Sequence, residues 1–393
     1  MLPNVKIILG NGNVGSVSLS DDGVAALLLT GAAVENKFAL NTHYVLSGTS
    51  GLATLGITEA NNPLIWKDVN AFYTEAGDGA ELHILAVSEA TTLTQMVAAA
   101  ADSPIHKLLD PAAGRTRLVG LNRTLPANYE ATMNGCVDGD VQTAVAAAQA
   151  IAESYLGKIA PVCIMVPAMK WSGSMTGIYQ PREGSQNMVS VILASDGKVG
   201  TTQSAAMGMI LGRAAKVPVN VSIGRVKDGA ICASGAGFLM DGQTPEQHYA
   251  DWNALHDAGY IFFRTYIGKG GYYLNDDATA TATTDDYCRL CLTRVIQKAV
   301  VICYKCYIDE ILDNIDVDPE TGKIPTAMAK YYESLLAKNI NSGMEGEMSG
   351  FNASIDPDQN LITTGKMDVV ARITPTALLR EIEVNLAFTN PNA

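Results

Sequence analysis

The sequence predicts an α/β fold of mixed α+β character, built as two globular parts with an extended β arm at each end. Three observations carry this expectation: strand-like apolar runs alternate with helical segments between about residues 80 and 215, one long helical stretch opens near residue 285, and both chain ends alternate apolar with polar residues. With 393 residues of which 48% are hydrophobic, the chain can bury one large core or two smaller ones.

The first 24 residues read as an extended arm. Val5, Ile7 and Leu9 share one side of a weak alternation, and Gly10-Asn11-Gly12-Asn13-Val14-Gly15 separates it from a second alternating run, Ser16 to Ser20. Gly10, Gly12 and Gly15 match the spacing of a dinucleotide fingerprint, which needs a helix directly after the third glycine. Here Ser16 to Ser20 alternates like a strand and meets the turn Asp21-Asp22-Gly23, so a hinge in an arm fits better than a cofactor loop.

Residues 25–225 read as an α/β domain. Its strands are Glu81 to Val87, Thr116 to Leu121, Pro161 to Pro167 and Met188 to Ala194; its helices are Thr91 to Ala101, Asp140 to Leu156 and Ser204 to Ala215. A second domain, 226–377, opens with a strand-like Tyr260 to Ile267 and the glycine hinge Gly268-Lys269-Gly270-Gly271. A helix from Asp285 to Asp313, capped by Thr284 or Asp285, would be about 43 Å long at ~1.5 Å per residue. A second helix, Thr326 to Asn339, leads to Asp356-Pro357-Asp358-Gln359-Asn360, a turn between two extended segments, the latter being Met367 to Thr374. The arm 378–393 closes the chain, and in it Ile382, Val384, Leu386 and Phe388 alternate with Glu381, Glu383, Asn385 and Thr389. This is the cleanest period of two in the sequence.

Charge and composition narrow the function classes. Forty acidic against 27 basic side chains give −13, the wrong sign for holding a phosphate backbone, so nucleic acid is not an expected partner. The most apolar runs fall short of the roughly 20 residues that span a bilayer, and the amino terminus lacks a secretory pattern, so no membrane insertion is expected. Seven cysteines, an odd count, fit reduced thiols rather than a disulfide framework.

Residues that resemble chemistry give way to plainer readings. Cys288-x-x-Cys291 and Cys303-x-x-Cys306 have the look of zinc half-sites, but on one continuous helix Cys288 and Cys303 stand about 22 Å apart, far beyond a shared ion. Core packing with Val295 and Ala299 is the expectation. His43, His83, His106, His248 and His256 have no ligand spacing, and no nucleophile elbow is present. Asp309, Glu310, Asp313, Asp316 and Asp318 lack the order of a calcium loop and read as a solvated acidic face. No catalytic residue, metal or cofactor is expected.

The order of segments in the last third is similar to that of contractile tail sheath proteins. Phe262-Phe263-Arg264-Thr265-Tyr266 leads through Gly268-Lys269-Gly270-Gly271 to Tyr272-Tyr273-Leu274-Asn275-Asp276-Asp277, then to a long helix with Tyr287, Arg289 and Arg294. Gly343-Met344-Glu345-Gly346, a hairpin and a strand ending in Leu386-Ala387-Phe388 follow. Many phage sheaths carry Trp-Gly-Ala-Arg-Thr where this chain has Tyr273-Leu274-Asn275-Asp276-Asp277, which marks a divergent branch.

The resemblance implies a structural subunit rather than an enzyme. It would assemble in the cytoplasm with itself as hexameric rings in a helical polymer, surround an inner tail tube protein, meet baseplate and terminator components, and end up in a phage tail or injection particle. It also implies that the two arms add strands to neighbouring subunits, through Val5, Ile7, Leu9, Gly10, Gly12 and Gly15 at one end and Ile382, Val384, Leu386 and Phe388 at the other. The competing readings are an α/β nucleotide- or nicotinamide-dependent enzyme and a structural component of another kind, such as a tail-tube or baseplate protein.

Overall fold

A computed structural model of the chain describes residues 21–389. These fall into two compact units that divide between Lys305 and Cys306. The first is organised on a seven-stranded sheet made from β1 (Ala25–Thr30), β2 (His43–Leu46), β3 (Leu82–Val87), β4 (Leu118–Asn122), β5 (Cys163–Pro167), β6 (Val189–Ile192) and, after the small-sheet strands β7 (Ala194–Val199), β8 (Thr202–Ala205) and β9 (Phe238–Leu239), β10 (Tyr260–Ile261). The strand order is β10-β6-β5-β4-β1-β3-β2. Every pairing is parallel except β2 with β3, which places an antiparallel strand at one edge.

The sequence explains this arrangement directly. Ala25-Ala26-Leu27-Leu28-Leu29-Thr30 is buried at every position, as are β3, β4, β5 and β6, the pattern of strands covered on both faces by crossover helices. Those helices include α1 (Pro63–Ala76), α2 (Pro104–Leu109), α3 (Gly139–Gly157) and α4 (Met207–Lys216). Helices α1 and α4 pack on each other over β1 and β4, while α2 and α3 cover β1, β3, β5 and β6. The sheet takes its last strand, β10, from beyond residue 225.

Helix α5 (Leu290–Tyr307) crosses the amino-terminal ends of the parallel strands. Thr293 donates to the Asn187 carbonyl just before β6, Gln297 to the Val162 carbonyl just before β5, and Arg294 reaches the carbonyl of Asp22 ahead of β1. Lys298 adds an ion pair to Asp22 at 2.8 Å.

Two helix expectations need correction. The helix expected over 285–313 has 18 residues, about 27 Å by the same rise. Asp285 is spent on a turn, accepting from the Tyr287 amide, and the helix is instead capped from afar by Asp277, whose carbonyl takes Leu290 N–H and whose carboxylate takes Cys291 N–H. At the other end, Asp309 and Glu310 would place negative charge on the negative pole of the helix, and the chain passes into one tight turn, Ile308–Glu310. The helix expected over Thr91 to Ala101 is a single turn, Leu93–Met96, held by a Thr92/Gln95 capping box and followed by α2, which starts at Pro104.

The second unit comprises α6 (Thr326–Gly343) and a hairpin of β11 (Met348–Ile355) and β12 (Val369–Pro375). One small cluster of its core is Ile324, Ala329, Tyr332 and Ile355, with Tyr307 donating to the Tyr332 carbonyl at 3.0 Å, and Leu336, Ile340 and Met344 are buried further along. Glu333 anchors α6 to the hairpin by accepting the Ile355 amide at 2.8 Å, and with Lys330 beside it the carboxyl is held below its usual range.

Candidate assembly interface

The hairpin is built to be incomplete. Two antiparallel strands alone are marginal in water, and β11 gains support by packing under α6. Strand β12 has β11 as its partner in a two-stranded sheet, and its side chains are largely exposed, Val370 at 47%. An unpaired strand edge presents backbone donors and acceptors that another chain can use. Immediately after it, residues 376–389 form no helix or strand. There Ile382 is 72%, Val384 75%, Leu386 93% and Phe388 108% exposed, an alternating apolar row that no described residue covers. The expected strand over Glu381 to Thr389 is therefore absent from the isolated chain. Val5, Ile7, Leu9, Gly10, Gly12 and Gly15 lie outside the described residues. The structure thus brings the carboxyl-terminal segment beside an open hairpin in sequence, and Val370 and the β12 edge are the interface candidates that residue periodicity did not single out.

The place where a doubly wound sheet would hold a small ligand is the crevice at the carboxyl ends of β1 and β4, where strand order reverses. In this chain it is filled from within. Arg123, 1% exposed, lies over the Tyr129 ring at 5.1 Å and 3.5 Å from Asp140, and donates to the Glu89 carbonyl. Thr30 and Thr124 bond each other at 3.0 Å, and Thr124 donates to Glu89. Beside them Asn122 donates to Asp68 at 2.8 Å and to the Ala205 carbonyl at 2.9 Å, while Lys67 bridges Asp196, Ser204 and Asp68. Burial lifts the Asp68 carboxyl to about 6 against the opposing pull of Lys67. The network staples α1 to β4 and β8 and leaves its polar groups facing one another.

The histidines behave similarly. His248 uses both ring nitrogens, on Asp241 at 2.7 Å and Asp251 at 3.1 Å, and packs against Trp171. His83 spends its two nitrogens on His43 and Glu81, and burial followed by His83 lowers the pKa of His43. In His248 and His83 both ring nitrogens are thus engaged in tying segments together. Among the thiols, burial pushes Cys163 up to about 12 and Cys232 up to about 11, away from thiolate chemistry. Cys291 and Cys303 sit on the continuous α5 with Cys288 just before it; Cys291 is buried, while Cys288, Cys303 and Cys306 are half-buried. Among the described residues no group of three or more His, Cys, Asp or Glu side chains is placed to hold a metal ion, and no helix is long and apolar enough to cross a membrane.

No curated protein matches the chain. Among solved structures it is similar to a chain of the anti-feeding prophage helical sheath in the contracted state, at 12% identity over 98% of this chain and 99% of that one, with a TM-score of 0.63. A chain of the contracted sheath complex of the extracellular contractile injection system PVC gives 12% identity over 98% and 97%, TM-score 0.62. A chain of the six-fold symmetrised anti-feeding prophage baseplate gives 14% identity over 99% of each, TM-score 0.61. At these identities the likeness establishes the fold, and it extends over both units: the mixed α/β architecture is that of contractile sheath proteins. Family models described as "DUF2586, N-terminal domain" and "DUF2586, C-terminal domain" match residues 2–278 and 286–393, and the chain belongs to the DUF2586 family.

Proposed function

We propose that this chain is the subunit of a contractile sheath, polymerising as stacked hexameric rings around an inner tube and contracting to drive that tube through a target envelope. The observation that carries the reading is the fold likeness to sheath chains along almost the entire length, 98% of this chain in each case. Its partners are further copies of itself, an inner tail tube protein, and baseplate and terminator components of a phage tail or injection particle assembled in the cytoplasm. The domain plan is an arm over 1–24, an α/β domain over 25–225, a sheath domain over 226–377 and a strand arm over 378–393.

The linkage follows from the hairpin. A segment with Ile382, Val384, Leu386 and Phe388 on one face becomes a strand when a neighbouring copy offers an edge such as β12, gaining main-chain hydrogen bonds and burying its apolar row. Val5, Ile7 and Leu9, hinged by Gly10, Gly12 and Gly15, serve the same role at the other end. Such arms keep rings attached while the rigid units rotate, so the two states of the sheath differ in interfaces rather than inside a fold. The enzyme reading has less support: the glycine motif precedes β1 instead of following it, and the switch-point crevice is filled by Arg123 and its neighbours.

Deleting Glu381 to Ala393 tests the linkage. The truncated chain should stay folded by circular dichroism, because the side chains of residues 381–389 are exposed, while cylinders seen by electron microscopy of the full-length protein vanish. Val384→Asp with Leu386→Asp should reproduce the loss without touching the monomer. An unfolded truncation, or one that still forms normal cylinders, overturns the arm mechanism; stoichiometric NAD binding by a full-length protein that forms no cylinders overturns the sheath reading itself.

A further inference from the structure

The chain is acidic overall, and the imbalance is uneven: residues 306–393 hold 14 carboxylates against 6 cations, so this quarter of the chain carries −8 of the −13. Like-charged copies repel, so self-assembly needs a place where the opposite sign is gathered. The first unit has one. A groove of about 460 Å³ opens between the end of α2, the end of α3 and the last turns of α5, and Arg115, Arg117, Lys158 and Lys305 line it.

Among the described residues Asp110 is the one carboxylate lining it, and it accepts the Tyr155 hydroxyl at 2.5 Å. Arg115 pairs with Glu81 from outside the groove yet keeps 55% of its side chain exposed; Lys158, over the Tyr155 ring at 4.5 Å, and Lys305 are also exposed. Attraction to helix carboxyl ends accounts for Lys158 and Lys305 singly. It does not account for their convergence with two arginines from a loop that is shaped by left-handed Ala113 and Gly114.

The matching surface is in the second unit. Asp309, Glu310, Asp313, Asp316, Asp318 and Glu320 stand in twelve residues without a single cation. Within this run Ile311 is 65% and Leu312 98% exposed, and Leu312 holds a left-handed φ of 68°, a strained conformation for a branched apolar residue presented to solvent. An acidic segment with an apolar tip complements a basic groove whose walls include Leu109, Val301 and the half-exposed Tyr304.

We propose that the Arg115–Arg117–Lys158–Lys305 groove receives residues 309–316 of a second copy of this chain, forming an electrostatic contact separate from the arms. The inference rests on the reading that copies of the chain assemble with one another. Because Arg115, Lys158, Asp313 and Asp316 are exposed in the single chain, changing them leaves folding intact.

Two variants test it, Arg115→Glu with Lys158→Glu, and Asp313→Lys with Asp316→Lys, each checked by thermal unfolding and assayed by sedimentation of polymer at about 0.1 M salt, where the Debye length is ~10 Å. Each variant alone should raise the concentration needed for assembly at least about tenfold, since like charges are then juxtaposed at every contact. An equimolar mixture of the two should recover wild-type assembly, because each reversed groove finds a reversed segment on another copy. Normal assembly of either variant alone overturns the proposal. So does recovery by a chain carrying all four changes without recovery by the mixture, which would place the contact within one chain, and so does recovery by neither. Should either variant unfold, Arg115→Gln with Lys158→Gln must still weaken assembly and flatten its salt dependence, or the proposal fails. Wild-type protein that forms no polymer under any condition would sink the sheath reading and this contact together.

Discussion

Replacing Gly208 with alanine places a methyl group where the backbone already is. On α4 an ideal Cβ at this position would sit 1.9 Å from the Asp68 carbonyl oxygen and 2.5 Å from its carbon, because α1 and α4 cross at backbone contact. The obstacle is main chain, so no rotamer change relieves it. Gly212, one turn on, would meet the Phe72 carbonyl at 2.5 Å, which confines the same crossing at a second point. Alanine improves helix propensity by up to ~1 kcal/mol, and overpacking in a filled core costs about 1–3 kcal/mol or more. With a contact this short the steric effect wins, and a net loss of about 2 kcal/mol is expected, several degrees in Tm at most for a unit of this size. Gly157→Ala is the control: its Cβ would meet nothing within 4 Å at the end of α3, so it should be neutral or slightly stabilising. Thermal and urea unfolding of the pair decide the matter. A Gly208→Ala protein at least as stable as wild type would refute the crossing geometry, and with it the packing of α1 and α4 over β1 and β4.

Two further outcomes follow from buried groups. Burial, reinforced by Asp276, raises the Asp277 carboxyl to about 6; the stability it contributes is present below pH ~4 and is lost as pH rises through 6, so Asp277→Asn, which keeps an acceptor for Cys291 N–H, should make the fall in unfolding free energy between pH 4.5 and 7 shallower than in wild type, and parallel curves would argue against it. Cys291→Ala, at a side chain 1% exposed, should lower stability by about 1 kcal/mol, while Cys303→Ala on the half-buried part of α5 should do less; equal losses would count against the buried face assigned to this helix.

Four strands of the parallel sheet were legible because they are mostly apolar and lie between helical segments, Glu81 to Val87 and Asp140 to Leu156 differing from the observed elements by a residue at each end or less, whereas the central β1 was not singled out. Beside the local causes at Asp309, Glu310 and the Thr92/Gln95 capping box, the other failures come from contact with residues distant in sequence. Asp277 caps α5 from thirteen positions before its first residue, which a local search for a cap at Thr284 or Asp285 cannot find. The Gly208 and Gly212 crossing depends on the carbonyls of α1, some 140 residues earlier in the chain. The filling of the switch-point crevice by Arg123 was equally hidden, since an arginine after a strand usually faces water. For the interface, the alternation of Ile382 to Phe388 was plain, but its exposure in the single chain and the open edge of β12 became visible in the fold.

On the proposed reading, the subunit faces two demands that pull against each other: it must survive a large rearrangement of its neighbours, and it must not lose them while doing so. The chain separates these demands in space. Its first unit is stiffened by a parallel sheet whose central strands are fully buried, by α5 bound across the ends of three strands, and by a polar network in which Lys67, Asp68, Asn122 and Asp196 pair with one another. A network of that kind has few alternative arrangements, because any displacement strands a buried charge. The second unit has a small core, a two-stranded hairpin and fourteen residues, 376–389, without secondary structure, so on this reading it keeps backbone and apolar side chains for other chains. Backbone pairing of an arm is indifferent to the rotation of the body behind it, whereas a charged groove is sensitive to angle and distance. On this reading the arms supply continuity between states and the groove supplies discrimination between them, so loss of the arms should abolish cylinders, while loss of the groove charges should alter how much polymer forms and how it responds to salt.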